Sequence, residues 1–189
     1  MGRAVVSGFV IDTERLVMRT WRDEDIDAFH AICSDPVVMA TLGPLMTSGE
    51  VAARVAKCQV QQAGDGCCFW ALERREDARL IGWCGVQRGS VGPIDGKPEL
   101  GWRLASDCWS QGYASEAARG AIDWGLANLP DDALWAITTV GNARSRAVME
   151  RMGMAYRADL DFDHPQVPPG DPLRRHVTYA IERGDRSAA

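Results

Sequence analysis

The residues best suited to chemistry form one short turn, Ser110-Gln-Gly-Tyr-Ala-Ser115. It follows an alternating segment, residues 99–104, and leads into an apolar stripe at helical spacing that includes Ala117, Ala118, Ala121, Ile122 and Leu126. A strand, a small-residue turn and a helix start, in that order, suit an anion and above all a phosphate. The first N–H groups of a helix have no acceptor within it, and the helix dipole adds positive potential at that end. Gly112 and Ala114 leave room for a ligand to approach the backbone, and the Ser115 hydroxyl adds a donor. A tight strand-to-helix turn without a ligand uses the same residues. No Gly-Lys-Ser/Thr follows and no G-x-G-x-x-G is present, which argues against a nucleoside triphosphate loop and a dinucleotide fold.

A second junction lies downstream. Residues 134–140 form the clearest strand of the chain, and Asn142-Ala-Arg-Ser145 then opens a short helix that Gly153 stops. Asn142 is a natural helix cap. It also falls at the end of a strand, on the edge of the sheet where the first turn lies. Two neighbouring strand-to-helix junctions can hold one long ligand, its anionic part on the first and an amide-bearing part on the second.

The remaining elements frame these junctions. Residues 16–21 read as a strand and 23–34 as a helix that Asp35-Pro36 ends. Thr47 and Glu50 have capping-box spacing, opening a helix over 48–63 that Gly64-Asp-Gly66 closes. Strands over 67–73 and 80–86 form a hairpin, followed by 99–104, where Leu100, Trp102 and Leu104 share one face and Glu99, Gly101 and Arg103 the other. Two late strands are expected at 154–161 and 176–181. The pattern predicts an α/β (α+β) fold, one mixed central sheet flanked by helices.

Composition narrows the partners. The length suits a single domain, and 46% hydrophobic residues exclude a disordered chain. With 21 basic and 26 acidic side chains the net charge is −5, and no basic block stands out, so nucleic acid is not an expected partner. Six cysteines and three histidines show no metal-ligand spacing, and no metal is expected. Scattered thiols suit a reducing cytosol. The apolar patch near the N-terminus is broken by Ser7-Gly8, so no signal peptide is expected, and no apolar run reaches membrane-spanning length. The expectation is a soluble, cytoplasmic protein without a membrane partner.

Together, the two junction motifs resemble those of the GCN5-related N-acetyltransferases (GNAT), specifically the RimJ/RimL branch. The family's phosphate turn, Arg/Gln-x-x-Gly-x-Gly/Ala, stands here as Trp109-Ser-Gln-Gly112-Tyr-Ala114, and its Asn-x-x-Ser motif as Asn142-Ala-Arg-Ser145. Thr13-Glu-Arg-Leu-Val-Met-Arg19 and Asp35-Pro36 also match that branch. The resemblance covers about residues 13–183 and implies one N-acetyltransferase domain over 1–189. It implies acetyl-CoA as co-substrate, held between two splayed parallel strands at 99–104 and 134–140. Backbone N–H groups of Gln111, Gly112, Tyr113, Ala114 and Ser115 would take the pyrophosphate. Backbone near Trp102, Arg103 and Leu104 would pair with the pantetheine arm, with Asn142 and Ser145 on its other side.

The implied reaction is acetyl transfer to a primary amine by direct attack. The amine must lose a proton, and Glu99 is the candidate base, because members carry a carboxylate on this strand; an exposed strand-end carboxylate is the competing reading. The oxyanion needs a donor, most simply a backbone N–H beside Leu104. A tyrosine common seven residues after the asparagine is replaced by Met149, which leaves Ser145 as candidate acid and Tyr156 as a weaker one. It also keeps open a non-catalytic acyl-CoA-binding or sensing module. Trp109 replaces the usual Arg or Gln, a tolerable change where the turn works through its backbone. The acceptor is a peptide N-terminus or a small amine, and the protein a monomer or homodimer. Trp21, Trp70, Trp83 and Trp102 are candidates for an aromatic acceptor pocket, and Asp163 or His164 for contact with the amine.

Overall fold

The computed structural model describes residues 9–188. Most of the apolar N-terminal patch, with Ser7-Gly8, lies outside the described residues. The chain runs β1 (Val10–Asp12), β2 (Leu16–Arg19), α1 (Asp25–Cys33), α2 (Pro36–Met39), α3 (Ser48–Asp65), β3 (Phe69–Arg74), β4 (Arg79–Arg88), β5 (Pro98–Leu104), α4 (Tyr113–Asn128), β6 (Ala133–Thr139), α5 (Ala143–Arg151), β7 (Ala155–Tyr156), β8 (Phe162–Asp163) and β9 (Arg175–Glu182). One mixed sheet has the order β1-β2-β3-β4-β5-β6-β9-β7, with β8 also on β9. Every pairing is antiparallel except β5 with β6.

Local chemistry sets the element ends. Thr47 and Glu50 form the expected capping box at the start of α3, and Gly66, at φ 72°, closes it in the left-handed conformation. Asp35-Pro36 ends α1 and also starts α2. The Asp35 carboxylate accepts the Val37 N–H at 2.8 Å, and Pro36 takes a first-turn position where no N–H is needed. Helix α4 lies close on the sheet because its buried stripe is small; a Cβ added at Gly125 would stand 2.9 Å from Leu134 Cδ1.

The expected strand over 154–161 is corrected. Only Ala155–Tyr156 pair with β9; a 3₁₀ turn over Ala158–Leu160 follows, and Phe162–Asp163 rejoin β9 further along. The Asp161 carboxylate takes the Thr178 N–H at 3.3 Å and the Thr178 hydroxyl donates to Leu160 C=O at 2.8 Å, so side chains replace the ladder there. The short β1 was not expected from the sequence.

All six cysteines are buried and unbridged. Burial pushes the thiols of Cys33, Cys67, Cys84 and Cys108 up, which holds them protonated. Arg19, almost fully buried, forms a bidentate pair with Asp25 at 2.8 Å and a third bond to Glu73, fixing α1 to the sheet.

Candidate active site

Strands β5 and β6 are joined at a single residue pair, Glu99 with Trp135. Beyond it they diverge, leaving the facing edges over residues 100–104 and 136–139 without ladder partners in each other. Open strand edges present backbone N–H and C=O groups in a row. From Glu99 to Leu104 the opening extends about 16 Å at the usual strand rise. It belongs to a cleft of about 850 Å³.

Helix α4 starts at the wide end of this opening. Gly112 precedes its first turn at φ 85°, and Ser110 is also left-handed at φ 61°. The first helical bond runs from Glu116 N–H to Gly112 C=O, so the N–H groups of Tyr113, Ala114 and Ser115 have no acceptor within the helix. The turn is clasped from the N-terminal strands. Glu116 accepts the Thr13 hydroxyl at 2.6 Å and the Arg15 N–H and Nε–H at 2.7 Å each, and Arg15 Nη1 donates to Gln111 C=O at 3.0 Å. Thr13 and Arg15 therefore hold the junction in shape.

On the second junction Asn142 Oδ1 accepts the Ser145 N–H at 3.2 Å, which caps α5. Asn142 and Ser145 both line the cleft. Two arginines seven residues apart on α5 turn toward the same end. The Arg144 guanidinium lies 4.5 Å from the centre of the Trp109 ring, and Arg151 donates to Ser115 Oγ at 2.7 Å. Free helix N–H groups flanked by two guanidiniums make a site for a phosphate group.

At the narrow end, burial pushes the Glu99 carboxyl up, against a 3.2 Å hydrogen bond from Gln87 Nε2 and the charges of Arg54 and Lys57. A carboxylate raised in this way holds a proton more firmly than an exposed one, which is what a general base requires. His164 and His176 stand with ring centres 5.0 Å apart at the cleft wall, and burial lowers both, which favours neutral imidazoles.

A family model described as an acetyltransferase (GNAT) domain matches residues 15–155. The chain belongs to the GNAT family of acetyltransferases. Among relatives of this GNAT enzyme, the uncharacterized N-acetyltransferase YoaA of Bacillus subtilis is 26% identical over 147 residues, covering 76% of this chain and 81% of that protein. Among solved structures, a GNAT-family acetyltransferase from Bacillus anthracis superposes with a TM-score of 0.76 at 24% identity, over 93% of this chain and 99% of that one. RimL, a ribosomal L7/L12 alpha-N-protein acetyltransferase in complex with coenzyme A, superposes with a TM-score of 0.75 at 14% identity, over 92% of this chain and 98% of that one. The mixed α/β fold is the one these acetyltransferases share.

The GNAT cleft gathers most of the residues singled out from the sequence. Glu99, Trp102, Arg103, Leu104, Gly112, Tyr113, Ala114, Ser115, Asn142, Ser145, Trp83 and His164 all line it. Gln111 does not; its side chain donates to Asp107 C=O at 2.7 Å and braces the turn. Trp21 and Trp70 are also elsewhere. Trp21 is buried against Phe29 and donates to Phe69 C=O, and Trp70 is stacked on Phe9 and met edge-on by Trp124, with its N–H on Gln62. Asp163 is taken up by Arg174 and Arg175. Tyr156 is exposed, its hydroxyl on Asp161, and Met149 is buried at the cleft wall. Sequence reasoning missed Arg144 and Arg151, whose seven-residue spacing places them on one helix face, and His176, whose only signal was a second histidine in a late strand.

Proposed function

We propose that this GNAT enzyme, a single N-acetyltransferase domain with its core at about 13–183, transfers the acetyl group of acetyl-CoA to a primary amine. The observation that carries the reading is the strand pair joined only at Glu99 and Trp135, opening onto a helix start with free N–H groups. The residues present fit the co-substrate. Tyr113, Ala114 and Ser115, with Arg144 and Arg151, would hold phosphate groups; the open edge of β5 beside Trp102, Arg103 and Leu104 would pair with an amide-bearing arm, with Asn142 and Ser145 opposite. Acetyl-CoA supplies the electrophilic thioester at the narrow end. There Glu99 accepts the proton that the amine loses, directly or through water, as the new C–N bond replaces the C–S bond. A backbone N–H on the open edge of β5 at that narrow end, rather than one beside Leu104 at the far end, would face the developing oxyanion, and Ser145 is the candidate to return a proton to the leaving thiolate. The branch proposed is RimJ/RimL-like, supported by the shared fold of RimL, and the location proposed is the cytoplasm. Among the described residues no helix is long and apolar enough to cross a membrane.

Met149, buried where a tyrosine acid is common in this family, favours a second reading: an acyl-CoA-binding module without turnover. Coenzyme A release separates the two. Acetyl-CoA is offered with peptides of varied N-termini, amino acids, polyamines and aminoglycosides, using wild type, Glu99→Gln and Ser145→Ala. Release with one acceptor class, lost in Glu99→Gln, is the expected result. Tight coenzyme A binding without release for any amine would replace the enzyme reading by the binding module.

A further inference from the structure

The face of β5 opposite Leu100 and Leu104 carries Glu99, Gly101 and Arg103 in succession. Gly101 makes room for an aromatic floor. A Cβ there would stand 2.9 Å from Phe69 and 3.1 Å from Trp83, and those two rings stack with centres 4.1 Å apart. A base candidate, a flat apolar floor and a guanidinium thus follow one another along one wall of the cleft.

The guanidinium is unusual in its company. Arg103 has five N–H donors, yet Nη1 meets only two sulfur atoms, Cys33 Sγ at 3.1 Å and Met46 Sδ at 3.6 Å. Sulfur is a weak acceptor. The Nε–H is buried and has no partner, and no carboxylate pairs with Arg103 among the described residues. The indole N–H of Trp83, whose ring centre is 5.8 Å from the Arg103 guanidinium carbon, is also buried without a partner. Arg54 stands exposed at the same cleft with no ion pair of its own among the described residues. Burial pulls the Arg103 guanidinium below its ordinary value, and the Arg54 charge acts the same way. Elsewhere in the molecule, buried arginine is matched by acid, as Arg19 is by Asp25 and Glu73. A cation left unmatched beside two idle donors in a substrate cleft awaits an anion.

We infer that the acceptor is a small amine that bears a carboxylate at the other end of an apolar or aromatic body, the body lying on the Phe69–Trp83 floor and the carboxylate received by Arg103 at the end of it. Arg103 is then a specificity-determining residue, and its planar fork suits a carboxylate in a way a lysine does not. The inference rests on the N-acetyltransferase reading of the same cleft. It adds the carboxylate, which that reading does not require.

The test compares amino acids of graded amine–carboxylate separation, from α-amino acids to ω-amino acids with aliphatic or aromatic spacers, each with the matched amine that lacks the carboxylate and with its amide, by kcat/KM for coenzyme A release. Wild type is expected to prefer the carboxylate form by about 10- to 100-fold for at least one of the longer spacers, the range for a charge-assisted pair. Arg103→Met is expected to abolish that ratio and Arg103→Lys to reduce it, with acetyl-CoA KM moving less than the ratio does. Because the readout is a ratio within one variant, a general loss of activity does not mimic it. Equal turnover of acids and matched amines by wild type would overturn the inference while leaving the enzyme reading intact. So would better turnover of peptide amines than of free amino acids, or an effect of Arg103→Met on acetyl-CoA KM alone. Release with no amine at all would remove both.

Discussion

Glu116 is the point at which the turn before α4, proposed to hold phosphate, can be loosened without touching the cleft. In Glu116→Ala three donors lose their acceptor: the Thr13 hydroxyl, the Arg15 N–H and the Arg15 Nε–H. The Arg15 side chain is 44% exposed, so its guanidinium can turn to water and that pair counts as a surface ion pair, about 0–1 kcal/mol. The other two bonds contribute about 1–1.5 kcal/mol each, giving a total of about 3 kcal/mol. For a chain of this size that corresponds to a fall in Tm of about 6–12 °C. Arg15 also releases Gln111 C=O, so the strained turn with Ser110 and Gly112 left-handed loses its clasp, and the KM for acetyl-CoA rises on the order of tenfold through displaced geometry. The loss depends on pH. Burial pushes the Glu116 carboxyl up, but the bonds from Thr13 and Arg15 outweigh it and hold the group below its ordinary value. Its stabilisation is therefore complete above the unfolded value of about 4.3 and fades as pH falls through the lower folded value. Melting curves of wild type and variant should lie apart at pH 7 and converge below about pH 4. Equal melting temperatures at pH 7, or a lowered Tm with acetyl-CoA kinetics intact, would refute the view that this clasp shapes the turn.

Other expectations follow from the same geometry. Glu99→Gln should cut kcat/KM by about 10²- to 10⁴-fold. Because burial raises the Glu99 carboxyl, wild-type kcat/KM should climb as pH rises through that raised value, and a pH profile of the variant should lack this limb. Arg144→Ala with Arg151→Ala should raise acetyl-CoA KM roughly tenfold and weaken its dependence on salt, read from kinetics at two ionic strengths. Asp25→Ala leaves the buried Arg19 with Glu73 as its one remaining carboxylate and should cost about 2–3 kcal/mol, a drop in Tm of about 4–12 °C by calorimetry.

The tight turn before α4 and the cap of α5 were legible because both are local: a glycine that must be left-handed, and an asparagine three residues before the N–H it accepts. The sorting of the tryptophans was not. Trp70 and Trp83 lie on neighbouring strands, and which faces the cleft depends on register; Trp83 pairs with Ala71, so it takes the face of Phe69 while Trp70 takes the other. Nothing in the residues of either strand states that register. The isolation of Arg103 was hidden for a related reason, since its sulfur neighbours are 70 and 57 positions away in the chain. The interruption between β7 and β8 turns on one carboxylate, Asp161, meeting one strand N–H from 17 positions away.

Acetyl transfer from acetyl-CoA liberates the coenzyme A thiol, and the protein keeps its own six out of reach. Disulfide-exchange reagents need an accessible thiolate. In the native state a chromogenic thiol reagent should therefore see only liberated coenzyme A, with a flat enzyme blank. When the chain unfolds, six equivalents of cysteine should react together. The same colour change thus counts turnovers below the melting transition and opened molecules within it.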